Sequence, residues 1–341
     1  LFAAVSGQWT HHQLRAELDR AQQLAAELRQ LGDMLDDDSA RSLACRRSGF
    51  TGLFLGDFAS SRVYLERSLA LCNPAELRLS GDSGAAELIS ILGSLSWALA
   101  CGGHLDQAQS RCDAALVDAR RVSHAHTLAM ALWWTWGMGW FARSPPSGLL
   151  LHADELRGLA AEGGFPYWRA LALVARGWCL AAMGHGDQGI PLLTTGLADL
   201  RATESGQFIP GILTILADAH RIGGQPQLGL TQLADAERLA EGTRERLIAA
   251  ETLRMRGDLL ILTDNRISAE ASFRHAIALS RRQEAKLWEL RSSTSLARLW
   301  REQGKRTEAR DLLAPIYGWF TEGLDRLDLK EAKTLLDKLG A

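Results

Sequence analysis

Histidines, cysteines and acidic runs are where this chain could carry out chemistry, and each set falls short on spacing. His124 and His126 flank a single residue, and His11 and His12 are adjacent. Such separations could seat a metal ion, but neither pair has a carboxylate or thiolate at helical ligand spacing, so both read as surface histidines at helix ends. Cys45, Cys72, Cys101, Cys112 and Cys179 form no CxxC pair. They suggest neither a thiolate metal site nor a disulfide framework and suit a reducing cytoplasm. No GxSxG elbow offers a nucleophile, and Cys101 and Cys179 read as small apolar side chains in a helix core. No GxxxxGK[ST] phosphate loop is present. Asp36, Asp37 and Asp38 lack the glycine and distant glutamate of a calcium loop and read instead as the start signal of the following helix. No cofactor, no metal and no enzyme activity is expected within these residues.

What remains is recognition chemistry. Phe50, Trp97, Trp133, Trp140 and Trp178 in the first half, and Asp218, Arg254, Asp258, Arg291, Arg298 and Arg301 in the second, are of the kinds that dominate protein-recognition energetics. Their common register comes from the elements that carry them. Turn-like spots recur at Gly56-Asp57, Gly102-Gly103, Ser144-Pro145-Pro146, Gly184-His185-Gly186, Gly223-Gly224, Asp264-Asn265 and Gly304-Lys305. Each lies between two stretches with helical apolar spacing, giving a repeat of about 40 residues. Five residues after each turn stands a small anchor: Ser61, Ala108, Gly148, Gly189, Gly229, Ala269 and Ala309. Twelve residues before each anchor stand Gly49, Ser96, Trp136, Gly177, Ala217, Gly257 and Ala297. Two series of small residues are what the close crossing of antiparallel helices requires. The repeat carrying Trp136 is the irregular one.

The fold class is therefore all-α, a solenoid of about seven to eight antiparallel helix pairs forming one array over residues 1–341. A capping helix over 328–340 carries Leu329, Ala332, Leu335, Leu336 and Leu339 on one stripe. Leu1 to Ser6 read as the back half of a helix whose partner runs from about Gln13 to Leu31, so the array is expected to begin before residue 1. The apolar run from Thr127 to Ala142 falls short of the roughly 20 residues that span a bilayer and reads as a buried helix, with no membrane partner. Lys and Arg number 38 against 40 Asp and Glu, a formal charge of -2, which disfavours nucleic acid as a direct partner.

The small-residue pattern resembles that of tetratricopeptide repeats, most fully in Leu296, Ala297, Trp300, Gly304, Ala309 and Leu313, and the resemblance implies a right-handed superhelix. The repeats exceed the usual 34 residues of that family. The run from Trp288 through Leu299-Trp300-Arg301-Glu302-Gln303-Gly304 to Tyr317-Gly318-Trp319-Phe320 looks like the tail of helical arrays in bacterial multidomain signalling proteins. In those proteins a nucleotide cyclase or DNA-binding domain precedes a P-loop ATPase and the array. That resemblance implies a cytoplasmic regulatory arm with such domains attached upstream, or alternatively the small-molecule sensor of a large ATPase-type transcription activator.

Within such an array the first helix of each pair lines the concave face, which places the aromatic and charged residues above in one groove. Two uses are compatible with this register. An exposed groove would take a protein or peptide with one apolar and one acidic end. Alternatively the tryptophans pack on one another and the arginines pair with Asp218, Asp258 and Glu251. Burial of Trp97 and Trp178 together with full pairing of Arg298 would remove the support for the exposed groove. An open trough would suit a peptide, and an enclosed pocket lined by Trp133, Trp140 and Trp178 a small molecule.

Overall fold

The computed structural model describes residues 1–72, 81–122 and 124–340, the side chains of 81–83 excepted. The described residues form 17 helices and no strand. They pair as α1 (Phe2–Leu14) with α2 (Leu18–Leu35), α3 (Asp38–Leu55) with α4 (Phe58–Leu71), and α5 (Gly81–Cys101) with α6 (Leu105–Arg121). The series continues with α7 (Ala125–Phe141) and α8 (Pro146–Glu162), α9 (Pro166–Ala182) and α10 (Gly186–Ala202), then α11 (Ile209–Ile222) and α12 (Pro226–Thr243). It ends with α13 (Ala249–Leu262) and α14 (Arg266–Arg282), α15 (Lys286–Glu302) and α16 (Arg306–Trp319), and the cap α17 (Leu327–Gly340). All seven turns anticipated from sequence lie inside pairs. The first helix reaches eight residues further than Ser6, and its partner starts correspondingly later.

Local chemistry sets the helix ends. Each intra-pair turn places one residue in the left-handed region, Gly103 and Gly184 at φ +92 among them; where no glycine is available, Arg143 (φ 52) and Asp264 (φ 58) take that role. Prolines Pro146, Pro166, Pro210 and Pro226 sit in the first turn of α8, α9, α11 and α12, where their missing N–H costs no helix bond. Asp37 caps α3 by accepting from the backbone N–H of Ser39 and Ala40.

The small series marks the crossings. A Cβ on Gly189 would stand 2.4 Å from the Gly177 carbonyl oxygen, and one on Gly177 2.7 Å from that of Gly189, so the α9 and α10 backbones touch. Ser61 donates to the Gly49 carbonyl at 2.7 Å across α3 and α4. The third anchor, Gly148, is exposed with nothing near it. There the indole of Trp136 turns toward α9 and donates to Cys179 Sγ at 3.5 Å, and contact between α7 and α8 moves to Leu149 packed over Gly139, where a Cβ would lie 2.2 Å from Leu149 Cδ2.

The superhelix winds tightly enough for successive turns to meet. The N–H of Gly206 donates to Leu14 O at 2.9 Å, and that of Arg246 to Phe54 O at 2.7 Å. Further on, Arg326 reaches Asp106 across 220 residues of chain, and Gly323 N–H donates to Asp106. First helices therefore face a narrow axis. Along α7 every residue from Ala131 to Phe141 is buried, as expected of a helix apolar all round. In α5 the segment Gly84–Cys101 is long and apolar enough to cross a membrane, but 89% of it is buried within the fold. All five cysteines are free thiols.

Candidate functional site

The axis of the superhelix holds two chambers separated by a layer of aromatic rings. In that layer Trp97 stands over Gly137, where a Cβ would come within 2.0 Å of the indole. Trp133 stacks on Trp136 at 5.3 Å between centroids, and Phe208 meets Trp97 and Trp133 edge-on. Trp97 is 3% exposed, and its Nε1 donates to the Trp134 carbonyl at 3.0 Å. No residue lines both chambers. The interior is thus not one continuous trough, because side chains as large as indole, projecting from consecutive first helices onto a tight axis, fill it midway.

The C-terminal chamber, about 370 Å³, holds most of the charged set. Trp140, Trp178, Asp218, Arg254, Asp258, Arg291 and Arg298 all line it, but their charges are matched internally. Trp178, 8% exposed, donates to Asp218 at 2.9 Å, and Arg221 donates to the other Asp218 oxygen. Arg254 forms a two-pronged pair with Glu251 at 2.7 and 2.8 Å and also reaches Asp258. Arg291 donates to Asp328 at 2.7 and 3.0 Å, to the Phe141 carbonyl, and faces Glu251 at 3.6 Å. Arg298 and Arg143 share Glu331. Burial opposes ionisation of Glu251, but Arg254 and Arg291 prevail and hold it down at about 2. The network ties α7, α13, α15 and the cap together. Arg301, in the last turn of α15, lines neither chamber.

The N-terminal chamber is larger, about 710 Å³. Of the sequence-derived set it contains Phe50 and Trp133, so Trp133 does not share a pocket with Trp140 and Trp178. Its walls come from α1 (Trp9, Gln13), α3 (Arg46, Arg47, Phe50), α7 (Met130, Trp133, Trp134), the start of α9 (Tyr167, Trp168) and the 203–208 connection. Trp134 is seated over Gly93, where a Cβ would lie 2.4 Å from the ring. Thus residues near the amino terminus and residues some 190 positions later, hydrogen-bonded through Leu14 and Gly206, enclose one space. Phe208 enters it with φ +68, its N–H held by the buried carboxyl of Glu245 at 3.3 Å.

This chamber is short of acceptors. Gln13 Nε2, Arg46 Nε, Arg47 Nε, Trp133 Nε1, Trp134 Nε1 and Gln207 Nε2 are buried without an acceptor among the described residues, and all six side chains line it. Unmet buried donors of this kind are rare in folded proteins. Arg47 stands over the Trp9 ring at 4.1 Å and donates to Ser6 at 3.4 Å, with no carboxylate within ion-pair distance among the described residues. Burial first, then the neighbouring charge of Arg46, pulls it down to about 9. Arg46 donates to Ser90 at 3.2 Å and has Glu87, at 3.7 Å, as its one ion-pair partner among the described residues. Neither arginine was singled out by the repeat register, since both lie off its groove-facing position. They stand four and three residues before Phe50 on one helix, and that spacing puts them on the same face as the aromatic ring.

Comparison with solved structures settles the architecture. The crystal structure of a Rap protein complexed with competence and sporulation factor matches with a TM-score of 0.64 over 99% of this chain and 97% of that one, at 13% identity. This chain folds like a Rap protein. The apo form of RapI matches at 0.54, 13% identity, over 85% of this chain and 99% of that one. PlcR of Bacillus thuringiensis, in complex with the peptide PapR7 and DNA, matches at 0.50 and 14% identity over 59% of this chain and 72% of that one. At these identities the likeness is one of fold. No protein-family profile and no curated protein sequence matches the chain.

Proposed function

We propose that this chain is a regulatory binding module that takes a short peptide into its N-terminal chamber. The observation that carries the reading is the origin of the chamber walls: α1 and α3 on one turn of the superhelix, and the 203–208 connection on the next. A ligand there touches both turns at once, so its binding energy acts directly on their separation, and occupancy becomes a change of pitch. The volume lies in the range of small-ligand and short-peptide sites, and the lining is mainly aromatic with a few polar groups, as such sites usually are. Rap complexed with competence and sporulation factor and PlcR complexed with PapR7 are structures of the same fold holding ligands. In this reading the whole chain is a single cytoplasmic array and the ion-pair network a strut keeping its carboxyl end rigid. The upstream partner is an ATPase, cyclase or DNA-binding domain that reads the pitch.

The test is a random library of short peptides screened by tryptophan fluorescence, with small-angle scattering of the complexes. Binding that alters fluorescence and the radius of gyration is expected, and Met130→Trp, which fills the chamber, should weaken it about tenfold or more. Affinity left unchanged by Met130→Trp would move the site elsewhere.

A further inference from the structure

Resting on the peptide reading above, we infer that the ligand enters the N-terminal chamber by its carboxyl terminus, and that Arg46 and Arg47 receive the free carboxylate among aromatic side chains. Three observations lead there. The chamber is blind at its inner side, where Trp133 and Phe208 belong to the aromatic layer that separates it from the charged chamber. A chain cannot thread through, so the segment that fills the space must end in it. A chain end carries either an ammonium or a carboxylate, and the sign of the local charge selects between them.

The second observation is that charge. Arg46 and Arg47 are consecutive on α3 and largely withdrawn from solvent, and among the described residues the one anion in ion-pair range is Glu87, beyond hydrogen-bond distance of Arg46 at 3.7 Å. The remaining guanidinium contacts are neutral hydroxyls, Ser90 and Ser6. The arginines of the C-terminal chamber, by contrast, are neutralised by carboxylates, as Arg254 and Arg291 illustrate. Planar guanidinium forks match a carboxylate geometrically, and a charge-assisted bond in an aromatic enclosure is stronger than its counterpart in water. An ammonium end would meet two like charges.

Third, the neutral donors point to more than an isolated anion. Gln13 and Gln207, from α1 and the 203–208 connection, each hold a side-chain amide nitrogen without an acceptor among the described residues. Peptide carbonyls supply acceptors along the backbone leading to a carboxyl end. A bulky apolar final residue suits walls made by Trp9, Phe50 and Trp134.

The experiment uses the full chain and N-acetylated short peptides ending in phenylalanine, made both as free acids and as carboxyl-terminal amides. The free acid should bind at least about tenfold more tightly than the amide, and Arg47→Met and Arg46→Met should bring acid and amide to equal, weak affinity. Arg47→Lys, which keeps the charge, should recover part of the preference. Ligand-free melting of each variant controls for folding: removing the Arg47 guanidinium, which has no ion pair among the described residues, should leave the melting temperature unchanged or raised, and removing Arg46, whose one counter-charge is Glu87 at 3.7 Å, should lower it little. If acid and amide bind wild type equally and both are weakened by Met130→Trp, the chamber takes peptides but not by their carboxylate, and this inference falls while the binding reading stands. An amidated peptide rescued by an internal aspartate would overturn the terminal assignment. So would binding of phenylacetate in the absence of any peptide binding. If no peptide in either form binds, both readings fall.

Discussion

Glu245 offers the sharpest physical test of how the aromatic chamber is held. It is 3% exposed, has no ion pair among the described residues, and uses its carboxyl to fix the N–H of Phe208, a bulky residue held at positive φ. Burial raises its pKa from 4.5 to about 8, against the lowering effect of the Phe208 hydrogen bond. Below pH 4.5 the carboxyl is protonated in both folded and unfolded chains and adds no pH dependence. Between 4.5 and about 8 the unfolded chain releases this proton while the folded chain keeps it, so stability falls as pH rises, and the loss is complete above the folded value. At 1.36 kcal/mol per pH unit the full loss is about 5 kcal/mol, a large part of the stability of an ordinary domain. Glu245→Gln retains an acceptor for Phe208 and removes the titration. Urea unfolding followed by tryptophan fluorescence from pH 5 to 9 should therefore give curves that nearly coincide at the acid end and diverge steadily, the variant becoming the more stable by several kcal/mol. Histidine titrations elsewhere cancel in the difference. A stability difference that stays constant across the range would refute the argument, because it would mean that the carboxylate finds a counter-charge or water on ionising.

Two further outcomes probe the frame. Arg291→Met should cost about 3 kcal/mol in urea unfolding, because it leaves the buried carboxylate of Asp328 with Arg143, at 3.1 Å, in place of two guanidiniums; adding Asp328→Asn should recover part of that loss, and strict additivity would count against a direct pair. Gly177→Val forces a side chain against the Gly189 carbonyl and should destabilise by about 1–3 kcal/mol or more, whereas the same change at the exposed Gly148 should be much milder. Equal effects at the two glycines, read as shifts in melting temperature, would show that the crossing of α9 and α10 is not set there.

Much of the fold was legible because the repeat is written in small residues at backbone crossings, and a crossing tolerates little else. Gly177, Gly189, Gly49 and Ser61 announce contact wherever they recur, and the single irregular anchor, Gly148, lay in the repeat whose Trp136 already broke the pattern. What the register could not supply was winding. It places Trp97, Trp133 and Trp178 on first helices, which is correct, but whether they line an open groove or fill it depends on how far the superhelix rotates per repeat. That rotation is a sum of small angles no local pattern encodes. The pairing of the charged half had the same limit. Arg254 with Glu251 and Asp258 is a matter of helical spacing, visible in the chain, but Arg291 with Asp328 and with the Phe141 carbonyl joins segments that meet only after winding.

The division between the chambers follows from the same winding and gives them different physical roles. In the C-terminal chamber the carboxylates lie on the arginine helices themselves or on the cap, so each charge is satisfied before any ligand arrives, and a newcomer would have to displace an existing pair. In the N-terminal chamber the guanidiniums of Arg46 and Arg47 meet hydroxyls, a ring and one carboxylate, Glu87, at 3.7 Å, so an incoming anion displaces no hydrogen-bonded ion pair among the described residues. The energetic asymmetry therefore favours ligation where the two turns are joined by few backbone bonds, at Leu14 with Gly206 and Phe54 with Arg246, and by the exposed pairs of Arg15 with Glu204 and Arg244 with Asp19, which hold weakly in solvent. It disfavours ligation where salt bridges already hold the cap. A binding event confined to the weakly joined turns can alter their spacing while the braced carboxyl end stays fixed, which is the mechanical arrangement a sensor needs if its output is to differ between the free and bound states.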